Sequence, residues 1–598
     1  MTVLGTMRLS VVASACAAAL VLAACDGGSG TGDGDGGGGF LGIGGDDSGG
    51  DDGGGDGGGG DDGDADAAPA PDALTATLAA LDQEAVVIAG EEADVLSVGT
   101  SSAFFDSAPV VVLADPDEQV RAASAGVALG VPVLVDGPAT AAEVQRLGAE
   151  VALAIGPVSD PGIDVVVPED DAALASLLGI EGDAVTVSTQ DAAQRIGELD
   201  PDQPVLLVPD SDSPDSDSPD NTEHADDPGS SEAVTAAPEP LTSDRDELPP
   251  TSTPQPQTPV ALLTRGTEQD LAALGTARAA GVHVLVGPHT DPRATSGTVQ
   301  TLAELDPSTV VGLGTDFGDP EALTWKARTA RTGVELPGGG QLVLPDKLYV
   351  ALYGTPSTGA LGVLGEQPIE ETITRAEEHA GWYDDLTEQT VVPSLEIITT
   401  VASAEPGWDG QYSNELPVES LRPLVDLAEE HGLYVVLDLQ PGRHDFVSQA
   451  RRYEELLVLP HVGLALDPEW RLGPDEVHMV RIGHVSAEEV DEVITYLADL
   501  TQEHDLPQKM LVLHMFQLRM IPDVDTIDLD REEVAVLIHA DGQGPQGDKQ
   551  ATWRALHDYA PSIPYWGWKN FYDEDSPMLT PEQTMSQVDP LPDFISYQ

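Results

Sequence analysis

Short apolar runs that end at a polar or ionisable residue repeat along residues 341–598. The runs cover 348–352, 391–395, 434–437, 463–466, 511–513, 534–538, 565–568 and 594–597. Stretches with helical spacing of apolar residues separate most of them, which is the pattern of parallel strands joined by helices. Eight such strands predict a (β/α)8 barrel, in which the carboxyl ends of the strands meet on one face.

Shorter units that resemble one another precede the predicted barrel. Runs at 110–113, 130–135 and 151–156 recur in the same order and with similar spacing at 260–263, 281–286 and 310–314. Short runs that are apolar throughout, with helical stretches between them, predict a repeated unit with a buried parallel sheet. The predicted fold class is therefore α/β, with repeated parallel units at 73–210 and 259–340 and a barrel at 341–598.

Two segments of biased composition interrupt this pattern. Residues 26–72 are almost wholly Gly and Asp, so they lack the apolar area that would offset the entropy of ordering and predict a disordered spacer. Residues 211–258 are acidic and rich in Pro and Ser, with no periodic apolar positions. The second segment either separates two domains or is a long insertion within one.

Residues 1–25 have the pattern of a secretion signal. Arg8 gives a positive start, residues 11–24 are small and apolar, and Leu22-Ala23-Ala24-Cys25 follows. This ending resembles the lipobox of bacterial lipoproteins. The resemblance implies diacylation (palmitate or a similar fatty acid) of the Cys25 thiol and cleavage before it, which anchors the chain at the extracellular face of the cell membrane. An ordinary secretion signal is the alternative.

The charge of the chain excludes one class of partner. The sequence has 105 Asp and Glu against 25 Lys and Arg, for a formal charge of -80. Such a field repels phosphate, so no nucleic acid is expected as a partner. Only two cysteines are present, and Cys16 lies in the predicted signal, so we expect no internal disulfide in the mature chain.

The repeated units resemble the cell-wall-binding repeat type 2 family. The resemblance rests on Val87-Ile88-Ala89-Gly90, the run 111–114, residues 130–134, and residues 143–148 followed by Ala154-Ile155-Gly156. It implies binding to a bacterial cell-wall polymer or glycan. Glu91 and Glu92 stand where the family has a basic residue, so an anionic polymer would need bridging divalent cations. A diverged repeat that serves as a spacer is the alternative.

The predicted barrel resembles an uncharacterised module of actinobacterial lipoproteins. The resemblance is carried by Tyr353-Gly354-Thr355-Pro356, by the stretch 466–470 and by Trp566-Gly567-Trp568-Lys569-Asn570. It implies no known activity, so function has to be inferred from the residues at the strand ends.

Carboxylates dominate those ends. Glu396, Asp438 and Asp541 follow the second, third and sixth runs, and Asp467 and Glu469 follow the fourth. Glycoside hydrolysis uses two carboxyl groups in different environments, one protonated and one ionised. We therefore predict these five as candidate catalytic residues of a glycan hydrolase. The alternative is that Asp467 and Glu469 cap the following helix.

Further side chains near the same ends are candidate substrate-binding residues. They are Tyr353, Trp470, His514, His539, Trp566, Trp568, Lys569 and Tyr572. In a chain with 4% aromatic residues, this concentration of rings favours stacking on sugars. Filling of the barrel mouth is the alternative for the tryptophans.

A metal-dependent hydrolase is the second interpretation of these residues. His514, His539, Asp438, Asp467 and Asp541 are suitable ligands for a divalent metal that activates water. The first strand, however, lacks the His-x-His pair of metal-dependent amidohydrolase barrels. No cofactor is therefore predicted, with a divalent metal as the alternative. A third interpretation is a surface lipoprotein whose barrel binds a glycan without cleaving it.

Overall fold

The computed structural model describes residues 73–210, 241–255 and 258–598. The predicted signal with Cys25, the Gly/Asp segment 26–72 and residues 211–240 of the second segment lie outside the described residues. Within the described ranges, every helix is too short or too polar to span a bilayer.

Residues 347–597 form the predicted closed barrel of eight parallel strands. The strands are β1 (Lys347–Gly354), β2 (Thr390–Ala402), β3 (Tyr434–Leu439), β4 (Val462–Leu466), β5 (Lys509–Met515), β6 (Val534–Ala540), β7 (Tyr565–Asn570) and β8 (Phe594–Tyr597). Each strand pairs with the next, and β8 pairs with β1, so the sheet closes. A short antiparallel strand, Ser413–Glu415, extends the end of β2. The fold predicted for this region is confirmed.

Helices cover the outside of the barrel. They are Ile369–Gly381, Val418–Glu430, Phe446–Ala450, Glu454–Leu457, Ala487–Glu503, Gln546–Tyr559 and Pro581–Gln587. The longest begins where the Ser486 side chain accepts a hydrogen bond from the Glu489 backbone N–H, with Glu488 and Glu489 in its first turn. It buries Val490 and Leu497 against the barrel. The connection between β5 and β6 contains the 3₁₀ turn Val524–Thr526.

Side chains alternate between the inside and the outside of the barrel along each strand. The amino-terminal part of the interior is filled with apolar side chains: Tyr349, Ala351, Tyr434, Val436, Ala465, Met510, Val512, Ala535, Leu537 and Phe594. Two residues further along each strand or just beyond its end, the inward positions are polar: Tyr353, Glu396, Asp438, Asp467, His514, His539, Lys569 and Ser596. The polar side chains therefore lie above an apolar plug, at the carboxyl ends of the strands.

Two four-stranded parallel sheets precede the barrel. The first contains Val133–Val135, Val110–Ala114, Val151–Ile155 and Asp164–Val166, in that order across the sheet. The second contains His283–Val286, Val260–Thr264, Thr309–Leu313 and Ala85–Ile88 in the equivalent order. The last strand of the second sheet thus comes from the start of the described chain, so the segments on either side of residues 211–258 share a sheet.

Small elements complete the two units. Their helices are Ala93–Phe104, Gln119–Leu129, Thr140–Leu147, Asp171–Leu177, Ala192–Gly197, Leu271–Ala279, Ser296–Leu305 and Pro320–Arg331. Additional strand pairs join Leu74–Thr75 with Thr251–Ser252, Thr77–Leu78 with Phe105–Ser107, and Val185–Val187 with Leu207–Pro209.

The two sheets are joined through back-to-back helices. Gly275 approaches Ala123 so closely that an added Cβ would lie 2.5 Å from the Ala123 Cα. The Thr276 hydroxyl also donates to the Val133 carbonyl and accepts from the Val133 N–H. Only glycine permits this approach, so we interpret the two units as a single packed pair.

The second unit contacts the barrel at the amino-terminal ends of its strands. The Gln341 N–H donates to the Arg293 carbonyl at 2.8 Å, and Lys326 pairs with Glu532, two residues before β6. Arg293 is buried, lies over the Trp325 ring and pairs with Asp291. These contacts leave the opposite, polar face of the barrel outside this junction.

Candidate active site

The polar residues at the carboxyl ends of the strands form one group, which we call the mouth cluster. It consists of Tyr353, Glu396, Asp438, Asp467, Glu469, His514, His539, Asp541 and Lys569. β1 to β7 or the residues just after them each supply at least one member. Every candidate catalytic carboxylate named from the sequence therefore belongs to this cluster, because parallel closure brings the strand ends together.

His514 lies between two carboxylates. Its Nε2 is 2.6 Å from Glu396 Oε1, and its Nδ1 is 2.9 Å from Asp541 Oδ2. An ionised carboxylate only accepts, so both ring nitrogens donate and the ring is an imidazolium. Burial opposes this charge, but Glu396 and Asp541 outweigh it and raise the pKa of His514 well above its usual value. The same contact lowers the pKa of the Glu396 carboxyl in spite of its burial.

Lys569 supplies the second positive charge. Its ammonium lies 3.1 Å from Asp541 Oδ1 and 3.4 Å from the centre of the Tyr353 ring. Burial alone would lower the pKa of Lys569, but Asp541 and Glu396 raise it. Burial would likewise raise the pKa of Asp541, yet Lys569 and His514 hold it below its usual range. Lys569 therefore stays charged, which disfavours a Schiff-base role, and Asp541 stays ionised.

The pKa values of the other three carboxyl groups are raised and not lowered. Burial, with the charge of Asp541 added, raises the pKa of Glu469 to about 7. Burial also raises the pKa of Asp438 to about 7, although its Oδ2 accepts a hydrogen bond from the Tyr353 hydroxyl at 2.9 Å. Burial and the neighbouring charge of Glu469 raise the pKa of Asp467 well above its usual value. The cluster thus holds carboxyl groups with raised pKa values beside carboxyl groups with lowered pKa values.

Solvent reaches only some of these groups. The Glu396 and Asp438 side chains are fully buried, whereas the Asp541 side chain is 11% exposed and Glu469 is partly exposed. Of the five candidate carboxyl groups, Glu469 and Asp541 are therefore the two most open to a substrate. Their pKa values are also shifted in opposite directions, upward for Glu469 by burial and downward for Asp541 by Lys569 and His514.

Asp467 has a structural role as well. Its Oδ1 accepts a hydrogen bond from the Glu469 backbone N–H at 3.3 Å, at the start of the 3₁₀ turn Pro468–Trp470. Capping of a following turn was the alternative interpretation of Asp467, and the structure contains that contact. The charge of Asp541 acts on the Glu469 carboxyl and helps to raise its pKa.

Three side chains could contribute ligands to a cation. Donor atoms of Glu396, His514 and His539 lie within 4.8 Å of one another. Glu396 Oε2 and His539 Nδ1, 3.9 Å apart, have no hydrogen-bond partner among the described residues. His514, however, already donates both ring protons to carboxylates, so ligation would require it to lose a proton and a hydrogen bond. The hydrogen bonding thus fits a proton network better than a metal site.

His539 is held in a tight position. Its Nε2 shares a hydrogen bond with Ser596 Oγ at 3.1 Å, and its ring packs against those of His514 and Phe594. Burial lowers the pKa of His539 to about 3, so the ring is neutral. A Cβ added at Gly567 would lie 2.7 Å from this ring. His539 therefore positions its neighbours, beneath the part of the cluster that solvent reaches.

The aromatic candidates are distributed differently from the prediction. Trp566 and Trp568 point outward from β7 into the layer between the barrel and the helix Gln546–Tyr559, where both pack against Trp553. The prediction that they line the mouth is corrected, because Lys569 points inward and the alternation along a strand turns its neighbours outward. Tyr572 is 38% exposed and bonds to His379 through its hydroxyl, outside the mouth cluster.

Two aromatic candidates do lie at the site. Tyr353 is buried in the cluster between Lys569 and Asp438, and Trp470 is half-buried beside Glu469. The Trp470 ring also contacts His478. Tyr353 thus belongs to the charged network, whereas Trp470 is partly open to solvent beside it.

Several residues around the mouth cluster were not named from the sequence. They are Ser596 on β8, the buried pair Lys549–Asp575, and the loop residues Tyr412, Arg443 and His478. Lys549 donates to Asp575 and to the Lys569 carbonyl, and so fixes the end of β7. Ser596 was available from the sequence, since it lies two residues after the inward Phe594.

Comparisons with known proteins give few relatives. No protein-family model matches the chain, and no curated protein matches it. Cwp8 from Clostridium difficile is similar with a TM-score of 0.26 and 12% identity over 42% of this chain and 52% of that chain. Cwp6 from Clostridium difficile has a TM-score of 0.28 and 11% identity over 60% and 63%.

A third solved structure is similar over the same share of the chain as Cwp8. It is 7,8-dihydropteroate synthase from Vibrio fischeri ES114, with a TM-score of 0.23 and 12% identity over 42% of this chain and 87% of that chain. The chain thus spans between half and two thirds of the length of the two Cwp structures. Because all three TM-scores are low, conclusions about function rest on the site residues.

Proposed function

We propose that this protein is a hydrolase of glycosidic bonds, with Glu469 as general acid and Asp541 as the ionised partner. The proposal is carried by two carboxyl groups at the open part of the mouth cluster: Asp541, which contacts Lys569 at 3.1 Å and His514 at 2.9 Å, and Glu469, whose pKa is raised by burial. Glycoside hydrolases need one protonated and one ionised carboxyl group. Two neighbouring groups with separated pKa values are the pattern expected of an acid and base pair.

The chemistry would use the two groups in turn. Glu469 gives its proton to the leaving oxygen as the bond between that oxygen and the anomeric carbon breaks. A water oxygen bonds to the anomeric carbon, and Asp541 takes the proton that this water loses. Lys569 and His514 hold Asp541 at 3.1 Å and 2.9 Å, so it is fixed in position before the substrate arrives.

The buried members of the cluster would maintain this charge state. Glu396 balances His514, and Asp438 with Tyr353 lies beside Lys569. Their burial keeps water away from the ion pairs, which strengthens the electrostatic interactions among them. We assign these residues to positioning and not to direct contact with the sugar.

The location of the protein is part of the same proposal. The lipobox-like Cys25 and the repeat-like units support a lipid-anchored protein on the outer face of the membrane, associated with the wall. The junction between the second unit and the amino-terminal end of the barrel supports a mouth that stays open to wall glycans. No nucleic acid fits the charge of the chain.

The test is hydrolysis by the purified full chain. Purified bacterial wall and a panel of polysaccharides are incubated with the protein, and released products are measured by mass spectrometry. We expect products whose rate of release falls by roughly 100-fold or more in Glu469→Gln and in Asp541→Asn. The exposed residue Glu388 supplies a matched control, Glu388→Gln, which should leave the rate unchanged.

Three outcomes would overturn the proposal. Undiminished product release in both site variants would remove the two carboxyl groups from the chemistry. Binding of a polysaccharide without any product would instead support a surface protein that binds glycans. Loss of activity on treatment with a chelator, restored by a divalent metal, would favour the metal-dependent alternative, with ligands from Glu396, His514 and His539.

A further inference from the structure

Three loops form one side of the barrel mouth, and Arg443 joins them. The loops follow β2, β3 and β4. The Arg443 guanidinium, on the loop after β3, donates to the Glu476 carbonyl at 2.8 Å and to the Gly410 carbonyl at 3.4 Å. It also lies over the Tyr412 ring, 4.6 Å from its centre. Because the Arg443 side chain contacts the other two loops from its own, the three loops have fixed positions relative to one another.

A row of rings runs along this surface from the proposed acid. Trp470, next to Glu469 in the sequence, lies with its ring centre 5.3 Å from that of His478. The His478 ring is 6.1 Å from that of Tyr412, and its Nε2 donates to the Tyr412 carbonyl at 3.0 Å. The row therefore leads from the mouth cluster to the loop after β2.

Trp408 lies at the tip of the same loop and is 97% exposed. The loop is ordered by its own hydrogen bonds, from the Tyr412 N–H to the Pro406 carbonyl and from the Gln411 N–H to Asp409 Oδ1. Its indole is thus presented to solvent by a fixed backbone. A single exposed apolar residue needs no explanation, but a second loop held by Arg443 also carries exposed apolar residues.

This second loop follows β4. Met479 is 65% exposed and Val480 is 76% exposed. Both residues follow Glu476, whose carbonyl accepts a hydrogen bond from Arg443. Arg443 also donates to the carbonyl of Gly410, which lies two residues after Trp408. Exposed apolar side chains therefore lie on two of the loops that also carry the row of rings. Apolar side chains exposed at the edge of a cleft are typical of a ligand-binding surface.

The charge of the chain limits what this surface can bind. With a net charge of -80, the protein repels a polyanion at long range. An uncharged sugar chain has no such penalty, and the apolar faces of its rings suit indole and phenol rings. A chain of several sugars is also long enough to contact Trp470 and Trp408 together.

We propose that Trp408, Tyr412 and Trp470, with Met479 beside them, bind an extended and uncharged polysaccharide beyond the bond that is cleaved. The inference rests on the proposed function and adds to it a substrate class, a long neutral glycan, and a direction of binding from Glu469 toward the loop after β2. Trp408 and Tyr412 act here as specificity residues and take no part in the proton transfers.

The experiment measures binding separately from cleavage. The full chain carrying Glu469→Gln is titrated with neutral oligosaccharides of increasing length and with a polyanionic glycan, by isothermal titration calorimetry. Trp408→Ala is then added to this background. We expect it to weaken binding of long oligosaccharides by roughly tenfold, as expected when one indole loses its contact, and to leave short ones unchanged. The melting temperature should stay the same, because the side chain is exposed.

Leu591→Ala is the matched control. Leu591 is 51% exposed and lies shortly before β8, at the amino-terminal face of the barrel, so its truncation should not change binding. In the enzyme with Glu469 intact, Trp408→Ala should raise KM for long substrates without changing kcat/KM for short ones.

Each outcome has one interpretation. Equal affinity of Trp408→Ala and its parent for long neutral chains would overturn the inference, as would tighter binding of the polyanion. A change in oligomeric state caused by Trp408→Ala would assign the patch to contact between copies of the chain and would also overturn it. A length-dependent loss of binding without hydrolysis in any form of the protein would preserve the binding surface and remove only the proposed function.

Discussion

The Nε2 of His514 lies 2.6 Å from Oε1 of Glu396, and both side chains are fully buried at the carboxyl end of the barrel. A buried ion pair contributes little net stability when intact but leaves an uncompensated charge when one partner is removed. The pair therefore constrains substitutions at the site more than it stabilises the fold.

Replacement of Glu396 by Gln should leave the buried charge of His514 poorly compensated and so destabilise the fold. The amide has a similar size but no charge, so the His514 imidazolium keeps only Asp541 as a partner. We expect the free energy of unfolding to fall by about 3 to 5 kcal/mol, measured by denaturant titration. Glu388→Gln, on the surface, should change it by less than about 0.5 kcal/mol. A Glu396 variant as stable as the control would show that the pair is not charged.

The pH dependence of catalysis should be set by Glu469. Its pKa is raised to about 7, so the acid is protonated below this pH and loses its proton above it. We expect kcat/KM to fall roughly tenfold for each pH unit above about 7. Because the pKa of Asp541 is held low, the acidic limb should lie below the usual aspartate value, about 3.9.

Asp438 titrates in the same range, so a second variant separates the two groups. Asp438→Asn should keep the alkaline limb of the profile, whereas Glu469→Gln should lose it together with most of the rate. An alkaline limb that survives in Glu469→Gln and disappears in Asp438→Asn would assign the acid to Asp438.

The stability of the protein should fall in acid partly because of His539. Its folded pKa is about 3 and its unfolded pKa is about 6.5, so the unfolded chain binds more protons between these values. The folded state accommodates only the neutral ring of His539. Its contribution to stability is therefore complete above about pH 6.5 and is lost as the pH falls toward about 3. The charged groups that act on it are Glu396, His514, Lys569 and Asp541.

His539→Asn is the corresponding variant. It should flatten the dependence of the unfolding free energy on pH between about 6.5 and 4, measured by denaturant titration at each pH, relative to the parent chain. The same slope in both proteins would mean that His539 is already protonated in the fold.

Gly567 should tolerate no side chain. A Cβ there would lie 2.7 Å from the ring of His539, which is buried and cannot move aside freely. We expect Gly567→Ala to lower the unfolding free energy by about 1 to 3 kcal/mol, measured by thermal or denaturant unfolding. Gly547→Ala is the matched control, since it has open space around it in the helix Gln546–Tyr559 and should be neutral or slightly stabilising.

Trp566 should behave as a core residue and not as a sugar-binding residue. It is buried against His557, with ring centres 3.6 Å apart. We expect Trp566→Ala to lower the unfolding free energy by about 3 to 5 kcal/mol. Trp408→Ala, at an exposed position, should change it by less than about 0.5 kcal/mol. Equal effects of the two substitutions would contradict the outward orientation of Trp566.

The proposed lipid anchor is tested by Cys25→Ser. Without the thiol no acyl chains can attach, so the protein should move from the membrane fraction to the medium or the soluble fraction, measured by fractionation and by incorporation of a labelled fatty acid. Cys16→Ser should leave both readouts unchanged, because that residue lies in the part predicted to be removed. Fatty-acid labelling that persists in Cys25→Ser would contradict the lipobox interpretation.

The positions of the strands could be predicted because apolar runs and helical spacing report burial directly. Closure of eight parallel strands then required that Glu396, Asp438, Asp467, His514 and Asp541 meet at one face. The prediction that Trp566 and Trp568 line the mouth was wrong. Side chains alternate along a strand, so an inward Lys569 already implies that Trp568 and Trp566 point outward.

What the sequence determined by itself is the α/β fold, the order of the barrel strands and the set of polar residues at their ends, since these follow from local periodicity along the chain. Only the tertiary structure decided which carboxyl groups are ionised. That depends on His514 lying between Glu396 and Asp541 and on Lys569 reaching Asp541, contacts between residues far apart in sequence. The joining of three loops by Arg443 was likewise undetermined, because backbone carbonyls accept hydrogen bonds whatever their side chains.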